Sequence, residues 1–323
     1  MFKIGIDLGG TNIAVGILDE ENRLLAETQI ETLAQKPFAD VMSRMTGAVQ
    51  SLIHEAEIQS GDISGVGIGV PSSVHPKTGQ LVFANNLGWR MADVCGAFRE
   101  QSEWNIPVFT ANDADCAALA EACLGAGSEF DSIFFVTLGT GFGGSFVQNR
   151  TLFMGGDGYG IEPGHSIFVN NGRLCTCGKK GCLEAYASAT ALLNGTKTAM
   201  QKHHNGILWE MCEGNPETLN GQMVFLATER GDKTAKAVIR QYAANLGAGI
   251  AGLVTLFRPQ AVIVGGGLSG AGDALFAPLR EITADLIYAH DIIPIPKILP
   301  AKLGNNAGIF GAALLCGGAE IKI

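Results

Sequence analysis

The sequence predicts an α/β protein made of two copies of one supersecondary plan, and three observations carry that prediction. Strand-like apolar runs alternate with helix-like amphipathic ones along the whole chain. A strand, a glycine-threonine turn and a second strand open the chain at "IGIDLGGTNIAVGIL", and the same order returns at "IFFVTLGTGFGGSFVQN", roughly 130 residues later. The 323 residues, 47% of them hydrophobic and 16% charged, are enough for two domains with sizeable cores.

The elements follow in chain order. Residues 3–7 and 13–18 read as short β-runs joined by "LGGT". The stretch 40–57 has helical spacing, with Val41, Met45, Val49 and Leu52 on one stripe. Residues 63–70 and 108–110 read as further strands, and 113–124 as an alanine-rich helix opened by the polar pair Asn112 and Asp113. The second half repeats the plan with an apolar run at 133–138, the turn "GTGFGG" and the run "SFVQN". A cysteine-bearing segment comes next, then a helical region with the polar insert "HHNGILWEMCEGNPETLNG". A long helix over 234–257, a strand over 261–264, the turn "GGG" and a helix over 273–289 complete the second half. The last segment, "NNAGIFGAALL", is rich in glycine and alanine, which suits a helix packed closely on a neighbour.

Composition excludes several function classes. A net charge of −9, a pI near 5.2 and the lack of any Lys/Arg run argue against a nucleic-acid-binding surface. The opening "MFKIGIDLGG" lacks the basic region and long apolar stretch of a signal peptide, and no segment offers 18 uninterrupted apolar residues. The expectation is therefore a cytoplasmic protein with reduced cysteines and no membrane span. Of the 8 cysteines, Cys95, Cys116, Cys123, Cys212 and Cys316 sit among apolar neighbours as core filler.

Three glycine turns carry candidate chemistry. In "DLGGTN", Gly9 and Gly10 let backbone amides approach an anion, and Thr11 and Asn12 add side-chain donors. Asp7, at a strand end, suits Mg²⁺ held through water. A plain hairpin would need the same glycines. The turn "LGTGFGG" repeats the chemistry, and Gly139, Gly141 and Gly144 fit G-x-G-x-x-G, yet a strand follows where a dinucleotide fingerprint requires a helix. It reads instead as a second phosphate loop, and two such hairpins suit a nucleoside triphosphate gripped from both sides. "AVIVGGGLSGAGD" sets Gly265, Gly267 and Gly270 between a strand and a helix, but near the C-terminus rather than in a first βαβ unit. It reads as a loop passing under an adenosine.

The segment "EPGHSIFVNNGRLCTCGKKGCLE" holds the remaining candidates. His165, Cys175, Cys177 and Cys182 form H-x₉-C-x-C-x₄-C, a Cys₃His set for tetrahedral Zn²⁺, with Gly178 and Gly181 letting the chain wrap the ion. C-x-C lacks the C-x-x-C context of a redox pair, and unconnected free thiols are the other alternative. Four protein ligands close the shell, so the zinc would be structural. Glu162 and Glu184 bracket the loop and are not needed by the metal. Two carboxylates there can accept hydrogen bonds from sugar hydroxyls, although each taken alone reads as a solvated surface charge. In "TANDADCAALAEA", Asp113 stands where a strand gives way to a helix, the place for a base that takes the proton of an attacking hydroxyl, or for a helix cap.

Together these segments resemble the ROK family of sugar kinases, within the actin-like sugar-kinase/Hsp70 ATPase superfamily, and among them bacterial ROK glucokinases. The resemblance runs from "IGIDLGGTN" to "LGNNAGIFGAALL" and is most specific in E-x-G-H followed by C-x-C-G-x-x-G-C-x-E. It implies a two-domain actin-like fold with duplicated ribonuclease H-like domains and a structural zinc loop. The small domain would be 1–111, completed by a C-terminal helix over 305–323, and the large domain 112–304. It further implies ATP-dependent phosphorylation of a hexose at its 6-hydroxyl, with MgATP and the sugar as partners and a homo-oligomer, dimer or tetramer.

By resemblance Asp113 is the base and Asn112 binds the sugar beside it. Asn86 lines the sugar pocket, and Glu162, His165 and Glu184 contact hydroxyls, His165 also ligating zinc. Gly9, Gly10, Thr11, Asn12, Thr140 and Gly141 hold phosphates, while Gly266 and Gly267 lie near the adenosine. Glucose is the expected acceptor; N-acetylmannosamine, N-acetylglucosamine, allose and fructose are the alternatives. Departures fall at Ser72 and Ser73, where relatives read P-G-P, at Asp115 in N-D-A-D, and at "DGYGI" before Glu162. A ROK-type transcriptional regulator shares the body but adds an N-terminal helix-turn-helix, whereas here the first glycine turn begins at Asp7. An actin-like or chaperone ATPase would not need the zinc loop and its two glutamates.

Overall fold

The computed structural model describes residues 1–317. In chain order the elements are β1 (Phe2–Leu8), β2 (Asn12–Leu18), β3 (Leu24–Glu31), α1 (Phe38–Glu55), β4 (Ile63–Val70), β5 (Leu81–Ala84), β6 (Trp89–Ala92), α2 (Val94–Ser102), β7 (Val108–Asn112) and α3 (Asp113–Cys123). Then come β8 (Ser132–Leu138), β9 (Phe142–Gln148), β10 (Thr151–Leu152), α4 (Glu184–Ala187), α5 (Ala189–Met200), α6 (Ile207–Met211), α7 (Gly221–Glu229) and α8 (Lys233–Phe257). The chain closes with β11 (Ala261–Gly265), α9 (Asp273–Leu286), β12 (Lys297–Pro300) and α10 (Ala307–Leu314).

Two five-stranded sheets have the orders β3-β2-β1-β4-β7 and β10-β9-β8-β11-β12. Each begins as a meander and continues with parallel strands, β4 and β7 in one and β11 and β12 in the other. The repeat read from the two glycine turns is thus a repeat of whole sheets. Contacts divide the chain into one compact unit of 1–128, 147–161 and 305–317 and a second of 129–146 and 162–304. The 111/112 junction falls within β7, inside the first unit. The C-terminal helix expected over 305–323 is represented by α10 and a 3-10 turn at Leu315–Gly317; 318–323 lie outside the described residues.

Alternation along the strands sorts the first unit into layers. Ile4, Ile6 and Leu8 of β1 and Val66, Ile68 and Val70 of β4 are fully buried in one core with Val41, Met45 and Val49 of α1. The intervening positions face α10 and α3, and Gly5, Gly67 and Gly69 there lack a side chain. A Cβ on Gly67 would overlap the carbonyl of Ala312 in α10, so the helix backbone rests directly on the sheet. Gly311 of α10 makes the same approach to the backbone of Cys116 in α3. The glycine-alanine composition of the last helix follows from this contact.

In the second unit, every residue of β11 is buried, and Phe134, Phe146 and Phe257 pack ring on ring with centroid separations of 5.2 to 6.3 Å. The long helix α8 buries Leu246, Ile250 and Val254 but leaves Leu256 77% exposed, so its apolar run is not wholly internal. No helix among the described residues is long and apolar enough to cross a membrane.

Candidate functional site

Both sheets end their first hairpin in a glycine turn, and the two turns are held alike. In the first, the Gly9 amide donates to Asn12 O at 2.9 Å, while the Gly9 carbonyl accepts from Thr32 Oγ1 at 2.7 Å. The Thr32 amide also donates to Thr11 O at 2.8 Å. In the second, the Gly139 amide donates to Gly141 O at 3.1 Å, and the Gly139 carbonyl accepts from the Ala189 amide at 3.0 Å. Thr190 Oγ1 donates to Thr140 O at 2.8 Å. The amides of Gly10 and Thr11, and those of Thr140 and Gly141, take no part in these bonds. Successive amides left over in a fixed turn are the elements of an anion site.

The other candidates of the first unit lie around its turn and at the end of β7. A Cβ on Gly10 would meet the side chain of Asn86 at 3.1 Å, so these two residues are neighbours. Asn12 opens β2 with its side chain exposed. Asp7 faces the start of α10, where its carboxylate touches Gly308. Burial raises its pKa from 3.8 to about 6. Asn112 caps α3, its Oδ1 accepting from the amides of Ala114 and Asp115 at 2.9 and 3.3 Å, and its Nδ2 donating to Ser72 O at 3.3 Å. Asp113 is the first residue of α3 and is exposed, with Oδ1 2.8 Å from the Ala114 amide. Of the departures, Ser72 is buried and accepts from the Phe83 amide at 2.9 Å, and Asp115 is buried beside Gly160.

In the second unit, the loop after β11 lies against the end of β8. Gly266 has φ +79°, and a Cβ there would run into the backbone of Leu138 at 2.5 Å. Gly266, Gly267, Thr140 and Gly141 therefore share the C-terminal edge of the parallel strands, where open α/β sheets bind ligands. Glu184 opens α4 and is buried. Its Oε2 accepts from the Phe142 amide at 3.1 Å, and its Oε1 accepts from Thr176 Oγ1 at 2.7 Å and Cys175 Sγ at 3.2 Å. Burial opposes ionisation, but the donors of Thr176, Phe142 and Cys175 outweigh it and hold the carboxyl below its ordinary value. A cavity of about 510 Å³ is lined by Thr140, Thr176, Glu184, Thr190 and Asn194 together with Arg173; the 265–267 loop does not line it.

The cysteine segment folds as a closed loop. Short antiparallel bridges join Ile167 to Cys182 and Leu174 to Lys180. Gly178 and Gly181 take φ of +83° and +92° to turn the chain around the thiols. One ligand atom from each of His165, Cys175, Cys177 and Cys182 lies within 4.8 Å of the others. Cys177 and Cys182 Sγ are 3.6 Å apart, and Cys175 Sγ is 3.7 Å from His165 Nδ1. A tetrahedral ion with Zn–S near 2.3 Å would set S···S at about 3.8 Å, close to the Cys177–Cys182 separation, and the donor set fits zinc. Nδ1 is the nitrogen turned to the thiols, which leaves His165 Nε2 for another partner. Glu162 is exposed and precedes the short turn at Pro163–His165, its carbonyl accepting from the His165 amide at 3.1 Å.

Thr32, Ala189, Thr190 and Thr176 escape the sequence reading. Thr32, Ala189 and Thr190 hold their turns from outside the motif, and Thr176 stands at an unspecified position within the cysteine motif. Only Ser188 carried a signal: its side chain caps α5 by accepting from the Ala191 amide at 3.1 Å.

The model of the ROK family matches residues 3–318. The chain is 35% identical over 312 residues to a glucokinase of Thermotoga maritima, covering 96% of this chain and 95% of that protein. It is 27% identical to a xylose repressor of Caldicellulosiruptor bescii, covering 95% of this chain and 76% of the repressor. Among solved structures, a ROK family glucokinase from Streptomyces griseus in complex with glucose and AMPPNP superposes with a TM-score of 0.82 at 34% identity, covering 98% of this chain and 99% of that one.

Proposed function

The chain belongs to the ROK family, and from that premise we propose that it is a hexose kinase transferring the terminal phosphoryl group of ATP to the 6-hydroxyl of glucose. The observation that carries this reading is the pair of equally braced glycine turns, each leaving two adjacent amides for an anion. Glucokinase relatives that align from end to end support the acceptor.

In this reading the amides of Gly10, Thr11, Thr140 and Gly141 bind phosphate oxygens, the side chain of Asn12 adds a donor, and Gly9 makes the close turn possible. Gly266 and Gly267 leave room for the adenosine. Asp113 takes the proton of the 6-hydroxyl, held at a helix start by the Asn112 cap. Asn86 and Asn112 orient the sugar. Glu162 and Glu184 accept from other hydroxyls, and His165 contributes Nε2 because Nδ1 turns to the thiols. Asp7 would hold Mg²⁺, which supplies charge neutralisation on the nucleotide when bound. Zn²⁺ on His165, Cys175, Cys177 and Cys182 would stiffen the loop that carries the sugar contacts.

An ADP-release assay with MgATP across glucose, N-acetylmannosamine, N-acetylglucosamine, allose and fructose tests the reading, with Asp113→Asn alongside. Turnover should be fastest with glucose, and Asp113→Asn should lower kcat about 10²–10⁴-fold at nearly unchanged glucose affinity. Preference for another sugar moves the acceptor. Silence across the panel removes the kinase and favours a regulator, as the repressor relatives would have it.

A further inference from the structure

We propose that Thr176 is a positioning residue: its hydroxyl holds one oxygen of Glu184 so that the other stays on the Phe142 amide, joining the cysteine loop to the second glycine turn. The bond from Thr176 Oγ1 is 2.7 Å, the shortest of the three that Glu184 receives. Glu184 is only 8% exposed, so few donors reach its oxygens. Its second oxygen receives the amide of Phe142, the residue at which the turn passes into β9. One carboxylate thus spans two loops that are about 40 residues apart in the chain.

Two features single out Thr176 among the donors. The Cys175 thiol also reaches Oε1, but a thiolate that ligates zinc has no proton to give. With the metal bound, Thr176 is the donor that remains on that oxygen. Thr176 also lies between two ligands in the sequence Cys175-Thr176-Cys177, so metal binding on either side fixes where its hydroxyl points. The metal would then set the carboxylate, and the carboxylate would set the turn, without the metal touching either.

The kinetic part of the test rests on the proposed hexose site, and the exchange part does not. Thr176→Val keeps the shape and removes the donor, while Thr176→Ser keeps the donor. In the zinc-loaded protein, Thr176→Val should speed hydrogen exchange at the Phe142 amide by about tenfold or more. It should also raise KM for glucose by about tenfold, with kcat changed less than about threefold. Thr176→Ser should stay close to the parent in both, and all three proteins should hold equal zinc. Unchanged Phe142 exchange in Thr176→Val, exchange in Thr176→Ser as fast as in Thr176→Val, or zinc lost from Thr176→Val would each overturn the proposal. If the parent protein phosphorylates no hexose, the kinase reading falls, and the exchange comparison still decides Thr176.

Discussion

The carboxyl of Asp7 titrates at about 6 rather than 3.8 because burial against the backbone of Gly308 deprives the charge of water. Between those two values the folded chain holds more protons than the unfolded one. This residue's contribution to stability therefore falls as pH rises from about 4 through about 6, and stays low above that. Asp7→Asn should leave stability unchanged below pH ~4 and raise it at pH ~7 by about 1–3 kcal/mol. Calorimetric melts of parent and variant across that range check the sign; a variant that is no more stable at neutral pH would refute the burial cost. The proposed Mg²⁺ site gives a reason to keep a charge where a neutral group would be more stable. Asp7, Asp113 and the Cys₃His set stood out as candidates because they sit in motifs with chemical meaning. Thr32 did not, because its partner lies in another segment, and Thr176 did not, because its place in the motif specifies no residue type.

Elements were legible where both period and boundary were strong. The helix expected over 113–124 is α3 to within one residue, since Asn112 caps it with two hydrogen bonds. The helix expected over 273–289 stops at Leu286, three residues early. The strand β3 went unread because its alternating residues are half-buried on one side and exposed on the other, with no fully buried position. Glycine spacing hid another signal: alternate glycines in β4 mark the face on which α10 rests. Gly67→Ala should cost about 3 kcal/mol or more, because the obstacle is a helix backbone that cannot step aside. Gly47→Ala, in α1 with open space at its Cβ, should instead gain about 0.5–1 kcal/mol. Urea midpoints of the two variants moving in the same direction would contradict this account.

At the scale of the whole molecule, each unit has its own sheet and its own buried core, and the Cys₃His loop belongs to the second unit alone. Chelation should therefore act unevenly. Segments 162–188 and β11 should lose exchange protection while β1 and β4 keep theirs, and the melt should acquire a separate early transition. A uniform loss of protection would mean that the loop stabilises the chain as one body. The repeat was legible from two short turns because both set glycine and threonine between two apolar runs. The division of the chain was harder to read, since 147–161 also joins the first unit from a distant position. The bracing of the two turns also bears on how such a protein can be altered. The carbonyl of each leading glycine is tied by a residue outside the loop, Thr32 for one and Ala189 for the other. A turn transplanted into a new scaffold without its tether would keep its letters and lose its shape. Lineages that diverged in nucleotide use would then have had to change loop and tether together, so the record of that history should be sought in the pair and not in the glycines.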